Sequence, residues 1–237
     1  MRILVTRPQP DADSTARLLR ALGHDALVAP LLQIFPNDLP ETIDLADVQA
    51  VLITSANGLR ALAKAIPDRG VQILTVGAAS AAAARDAGFE HVDSAGGDVT
   101  SLAALVRETL DPGAGTLLHA AGSVTAGDLS GDLTKSGFQV EKIALYRAET
   151  LKILPETVKT ALENREIDGV ALYSPRSAKV FVKLVAQAGI SRALRTVNAY
   201  CLSAAVAEAL KAGNFADVHV SYTLDQQGIL DMIGVHP

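Results

Sequence analysis

Tryptophan is absent from these 237 residues, and aromatics reach only 4%. Alanine, valine and leucine must therefore fill the interior. Cys201 is the one cysteine, which excludes an intrachain disulfide and fits a reducing compartment. Its plain reading is a small buried hydrophobe. The chain also lacks an excess of basic charge, with a formal net charge of −5. That argues against a general nucleic-acid binder, which usually shows a basic face, but not against an anionic small ligand held by local donors. No apolar run approaches the roughly 18 residues of a membrane span. The opening MRILVTRP carries a run of three apolar residues, Ile3-Leu4-Val5, before Thr6, too short for a signal peptide. We therefore expect no nucleic-acid partner, no membrane and a cytoplasmic location.

Familiar chemical signatures are missing as well. TVGAAS and HAAGSVTAG are glycine-containing strand-to-helix turns, yet neither makes GxGxxG or a Walker loop. The histidines, at 24, 91, 119, 219 and 236, have no metal-ligand spacing. No GxSxG elbow is present.

What is present is alternation. Hydrophobic residues make up 49% of the chain, arranged as short apolar runs followed by stretches of helical period. Ile3-Leu4-Val5 precedes DSTARLLRALG, and AVLIT precedes ANGLRALAKAI. This is an α/β grammar, with parallel sheets flanked by helices. It is also written twice. Ser55 aligns with Ser174 at an offset of 119, bringing Val51 onto Val170 and Lys64 onto Lys183. Ile3 aligns with Leu117 and Gly23 with Gly137, both at 114. Duplication of an α/β half explains these offsets. FPNDLP at 35–40 and a charged stretch at 147–152 read as crossings between halves. The expected lobes are 1–34 plus 150–237, and 37–147, joined by two strands with a cleft between them. A single wide sheet with two irregular loops is the alternative.

In open α/β sheets ligands bind beyond the carboxyl ends of the strands. Small polar residues gather at such places here: Thr6, Ser55, Asn57, Gly58, Gly77, Ser80, His119, Gly122, Ser174, Ser177 and Ser203. Each serine or asparagine could simply cap a helix. Helix starts also present unpaired N–H donors suited to carboxylates or phosphates. His119 closes an expected strand, where it could meet a ligand or serve the structure. Tyr146 ends another at the second crossing, with a hydroxyl able to donate a proton or pack at the junction. Among the arginines Arg7, Arg60, Arg147 and Arg176, Arg7 and Arg176 are the first candidates for carboxylate binding.

The motifs ILVTRP at 3–8, ITSANGL at 53–59, TVGAASAAAARDAG at 75–88, GFQVEKIALY at 137–146 and LYSPRSAKVF at 172–181 together resemble the uroporphyrinogen-III synthase family. The resemblance implies two α/β lobes joined by a pair of strands. It implies conversion of hydroxymethylbilane, a linear tetrapyrrole, into uroporphyrinogen III by loss of water, ring closure and inversion of the last pyrrole, with neither cofactor nor metal. A monomer receiving its substrate from hydroxymethylbilane synthase goes with it. In this resemblance Tyr146 matches the family's cleft tyrosine at the hinge and is the candidate catalytic proton donor, Ser80 stands where a threonine is usual, Ser55, Asn57 and Gly58 match the TSxNG turn, and Ser174 and Ser177 match the S-P-S turn. Two departures stand out: SAAVA at 203–207 replaces a threonine-bearing turn, and Ala121-Gly122 replaces Arg-Gly. A cytoplasmic bilobed small-anion-binding protein without catalysis is the competing reading, and a nucleotide-dependent Rossmann enzyme is disfavoured by the missing fingerprint.

Overall fold

The computed structural model describes residues 1–39, 43–125 and 127–234; Pro40 of the FPNDLP segment and His236 lie outside them. The chain runs β1 (Arg2–Val5), α1 (Asp11–Ala21), β2 (Asp25–Val28), β3 (Leu32–Pro36), β4 (Val48–Ile53), α2 (Ala56–Ala65), β5 (Ile73–Thr75), α3 (Ala78–Asp86), β6 (Val92–Ser94), α4 (Val99–Thr109) and β7 (Thr116–Gly122). It continues α5 (Leu129–Lys135), β8 (Val140–Thr150), α6 (Glu156–Glu163), β9 (Gly169–Leu172), α7 (Pro175–Gln187), β10 (Asn198–Cys201), α8 (Ala204–Glu208), β11 (Asp217–Val220) and α9 (Gln226–Ile233). No helix among the described residues is long and apolar enough to cross a membrane.

Two compact units result: Met1–Gln33 with Glu149–Pro237, and Ile34–Ala148. One carries a five-stranded sheet, β11-β10-β9-β1-β2, and the other a six-stranded sheet, β3-β8-β7-β4-β5-β6. Two separate sheets rule out the single wide one. The ladders β1·β2, β1·β9, β9·β10 and β10·β11 are parallel, as are β4·β5, β4·β7, β5·β6 and β7·β8. Matching β2-β1-β9-β10-β11 to β8-β7-β4-β5-β6 reproduces the pairing read from the offsets. Both copies have one strand order, and the chain enters them at different points.

The two stretches expected to be linkers are strand in their first parts, since β3 continues to Pro36 and β8 to Thr150. β3 and β8 are neighbours in the sheet, so pairing satisfies backbone groups that a linker would leave to water. Pro36 is tolerated because β3 is an edge strand.

Continuous apolar runs suit parallel strands buried on both faces, and β9 is buried at every residue. In the second unit Leu59 and Leu62 of α2 pack with Leu118 and Ala120 of β7 on one face of the sheet. Leu117 meets Leu102, Val106, Leu129 and Leu133 on the other. Each fully buried leucine contributes about 1.5–3 kcal/mol. This packing seats α2 so closely that a Cβ on Gly58 would lie 3.0 Å from the carbonyl oxygen of Ala120. The close approach fixes the helix start over the end of β7. Cys201 is fully buried, and burial pushes its thiol up to about 11, so it stays protonated.

Candidate active site

The start of α2 is built by Ser55. Its backbone is extended, and its Oγ accepts a hydrogen bond from the N–H of Gly58 at 3.0 Å. The same Oγ lies 2.9 Å from the phenol oxygen of Tyr146. Tyr146 is therefore joined by one hydroxyl to the N-terminus of a helix, where the unpaired N–H groups carry partial positive charge. The ring leans on Gly122, where a Cβ would come within 2.8 Å of Cζ and 3.0 Å of the phenol oxygen. Glycine is needed here for room.

Tyr146 does not end its strand, contrary to the sequence reading; β8 runs on to Thr150. It is set apart by a break in register: Ala121 pairs with Ala144, but Gly122 pairs with Tyr146. One extra residue in β8 makes a bulge, a device that re-aims side chains. As a result Leu145 and Tyr146, neighbours in sequence, both pack against the α2 face. The bulge is pinned by Asn37, a residue of the stretch expected to be a linker. The Asn37 side chain donates to the carbonyl of Ala144 at 2.8 Å and its backbone N–H to that of Leu145 at 3.1 Å. Ser123 N–H donates to the carbonyl of Tyr146 at 2.8 Å. No local signal marks Asn37, because its partners Ser123, Ala144 and Leu145 lie far away in sequence.

Asn57, in the first turn of α2, accepts from the Arg60 guanidinium at 3.1 Å. Gly77 begins α3 with extended backbone, and among the described residues nothing lies within 4 Å of where its Cβ would be. The glycine leaves that helix start open to approach. Ser80, in the first turn, is buried.

His119 corrects another expectation. It lies in the middle of β7, which extends to Gly122, and is 2% exposed. Strand alternation turns it to the side of Leu117, beneath α5, where Nδ1 meets the Ser130 hydroxyl at 3.2 Å. Its Nε2 has no hydrogen-bond partner among the described residues. Burial, helped by the nearby Lys142 charge, lowers its pKa to about 4. It is a neutral core histidine on the face of the sheet opposite Tyr146.

The first unit repeats the helix starts. Ser174 caps α7 as Ser55 caps α2: its Oγ accepts from Ser177 N–H at 3.1 Å, with φ −150° and ψ 149° against −157° and 149° at Ser55. Where the second unit places Tyr146, the Ser174 hydroxyl meets the buried Ser177 hydroxyl instead, at 2.9 Å. Ser203 opens α8 as Gly77 opens α3, and its side chain makes no capping bond. Asp98 and Asp225 cap α4 and α9 through Ser101 and Gly228 N–H. Thr6 is fully buried and donates to the carbonyl of Ala171 at 3.2 Å. Arg7 ties three segments together. It pairs with Asp11 at 3.3 Å, donates to Gln226 at 2.8 Å and Thr15 at 3.3 Å, and covers the Tyr173 ring at 4.2 Å. Both residues thus have internal partners that serve the fold. Arg176 is half-buried in the first turn of α7.

The structure gathers Ser55, Gly58, Gly122 and Tyr146 into one cluster. Thr6, Arg7, Ser174, Arg176, Ser177 and Ser203 lie in the other unit. Such a cluster can orient a phenolic proton beside main-chain donors, a setting for a leaving hydroxyl or an anion.

The comparisons bear on the whole chain. No curated protein matches it in sequence. The crystal structure of a mutant uroporphyrinogen III synthase from Thermus thermophilus matches with a TM-score of 0.61 at 22% identity, over 98% of this chain and 97% of that one. That of uroporphyrinogen-III synthetase from Helicobacter pylori matches with a TM-score of 0.63 at 16% identity, over 98% of each chain. At these identities the likeness speaks for the fold. The family model described as uroporphyrinogen-III synthase HemD matches residues 13–231, nearly the full length. The chain belongs to the uroporphyrinogen-III synthase family.

Proposed function

We propose that this chain is a cofactor-independent hydro-lyase that dehydrates and cyclises hydroxymethylbilane with inversion of the terminal pyrrole, giving uroporphyrinogen III. The observation that carries the site assignment is the Tyr146 hydroxyl, 2.9 Å from Ser55 at the start of α2, in a chain of this family.

The chemistry explains the donors. The substrate bears acetate and propionate arms on every ring, so it is a flexible polyanion. In the second unit the helix starts at Ser55 and Gly77 offer N–H groups suited to carboxylates. Such a site needs few arginines, which agrees with the commitment of Arg7 to Asp11 and Gln226. Left alone, the linear tetrapyrrole closes to the uninverted isomer. The enzyme must hold it so that the terminal ring is attacked at its substituted carbon, giving a spiro intermediate that fragments and recloses. Most of that task is orientation and differential binding. Departure of the hydroxyl group takes a proton or a strong hydrogen bond, which Tyr146 supplies as general acid.

The test is direct. Purified protein is given fresh hydroxymethylbilane, the product is oxidised, and the porphyrin isomers are resolved. Excess type III supports the assignment. Type I alone refutes it and leaves a binding protein.

A further inference from the structure

We propose that Ser55 is a positioning residue for Tyr146: it donates its hydroxyl proton to the phenol oxygen and so leaves the phenolic proton free for the leaving group. This rests on the proposed general-acid role of Tyr146 and assigns Ser55 a part in it.

Ser55 Oγ has one hydrogen and two lone pairs. One lone pair is taken by the N–H of Gly58 at 3.0 Å. The contact with Tyr146 at 2.9 Å joins two hydroxyls, and either could donate. The pair holds two hydroxyl hydrogens and the contact consumes one, so one is left to offer to a substrate. Which oxygen keeps it depends on polarisation. Donation from Gly58, at the positive end of α2, draws electron density from Ser55 Oγ. An oxygen that already accepts becomes a better donor and a poorer acceptor. Ser55 therefore donates toward Tyr146, and the spare hydrogen is the phenol's own.

The surroundings hold this arrangement in place. Gly122 leaves space for the ring, since a Cβ there would lie 2.8 Å from Cζ. Gly58 keeps α2 close to β7. The bulge pinned by Asn37 fixes the backbone of Tyr146. The duplicated unit supplies a contrast. Ser174 caps α7 with the same backbone geometry, but its hydroxyl partner is Ser177, a residue of its own first turn. Capping alone therefore does not call for the tyrosine contact; the second unit adds it.

The experiment is a double-mutant cycle read in kcat for type III product, with KM measured alongside. In the wild-type background Ser55→Ala lowers kcat about tenfold or more, a share of the roughly 10²–10⁴-fold that general acid catalysis contributes, and leaves KM nearly unchanged. In a Tyr146→Phe background the same substitution changes kcat by less than about twofold, because residues that act as one unit are non-additive. Ser55→Thr keeps both the cap and the hydroxyl and restores most of the rate, which separates positioning from helix stability. An equal penalty for Ser55→Ala in both backgrounds overturns the inference while the synthase assignment stands. A wild-type protein that forms only the type I isomer overturns both.

Discussion

Replacing Gly122 by alanine puts the site's geometry to a quantitative test. The new methyl would sit 2.8 Å from Cζ of Tyr146, where ordinary contact begins near 3.4 Å. Gly122 lies at the end of β7 between the Ala121 and Ser123 backbones, so the ring must give way, by about 0.6 Å at contact distances of this kind. A shift of that size disturbs the 2.9 Å contact to Ser55, whose O–H···O range is only about 0.5 Å wide. Overpacking of this sort costs about 1–3 kcal/mol of stability. A misplacement approaching 1 Å costs on the order of 10²-fold in rate, so a loss of about tenfold or more in kcat is expected. The assay is single-turnover formation of type III isomer, with urea denaturation in parallel to confirm that the variant is folded. Gly122→Ala should slow the Tyr146→Phe enzyme far less than the wild type. A folded Gly122→Ala protein with wild-type kcat would refute the claim that Gly122 makes room for a working phenol.

Further outcomes follow from the same geometry. Tyr146→Phe should lower kcat by about 10²–10⁴-fold and leave residual type III product, since orientation persists without the acid; isomer analysis checks it. Asn37→Ala should leave the Ala144 carbonyl short of a donor, cost about 1–3 kcal/mol and lower kcat more than it raises KM. Gly77→Ser should leave the melting temperature unchanged or higher, because serine caps well and meets nothing there, yet raise KM through loss of close backbone approach. His119, lowered to about 4 from 6.5 chiefly by burial, binds its proton more readily unfolded than folded. Its contribution is complete above pH 6.5 and is lost as pH falls toward 4, by on the order of 3 kcal/mol at most. Denaturant titrations at pH 7 and 4 should show that slope in the wild type and a shallower one in His119→Leu.

How much of this could be read from residues alone depends on distance along the chain. Helix starts were legible because a cap and its N–H partner are three residues apart, as at Ser55–Gly58 and Ser174–Ser177. Duplication was legible because apolar runs and glycines such as Gly23 and Gly137 recur at fixed offsets, and the two sheets share one strand order. Strand ends were less so. His119 is expected at the close of its strand, yet β7 runs three residues further, to Gly122, and the side chain is set by its packing beneath α5 rather than by the strand's end. Tyr146 looked terminal because the bulge that re-aims it is a property of two paired strands. Asn37 was invisible for the same reason: FPNDLP has the composition of a linker, and only pairing with β8 turns part of it into strand. The Thr6 partner Ala171 and the Gln226 that Arg7 reaches besides its neighbours Asp11 and Thr15 lie far away in sequence and are equally out of reach.

The order in which the chain builds its two sheets has a consequence for synthesis on the ribosome. Ile34–Ala148 is continuous and contains β4 to β7 whole and most of β3 and β8, so it can fold as soon as it has emerged. β1 and β2, made first, must wait for β9, since Ile3 pairs with Gly169, a closure of the kind that slows folding. Because β3 and β8 are adjacent in one sheet, the early-folding segment brings its own two ends within about 5 Å of each other, shortening the loop that remains to be closed. The inserted half thereby leaves the split one little more loop to close than a direct connection would, and a gene trimmed to residues 34–148 should yield a folded protein.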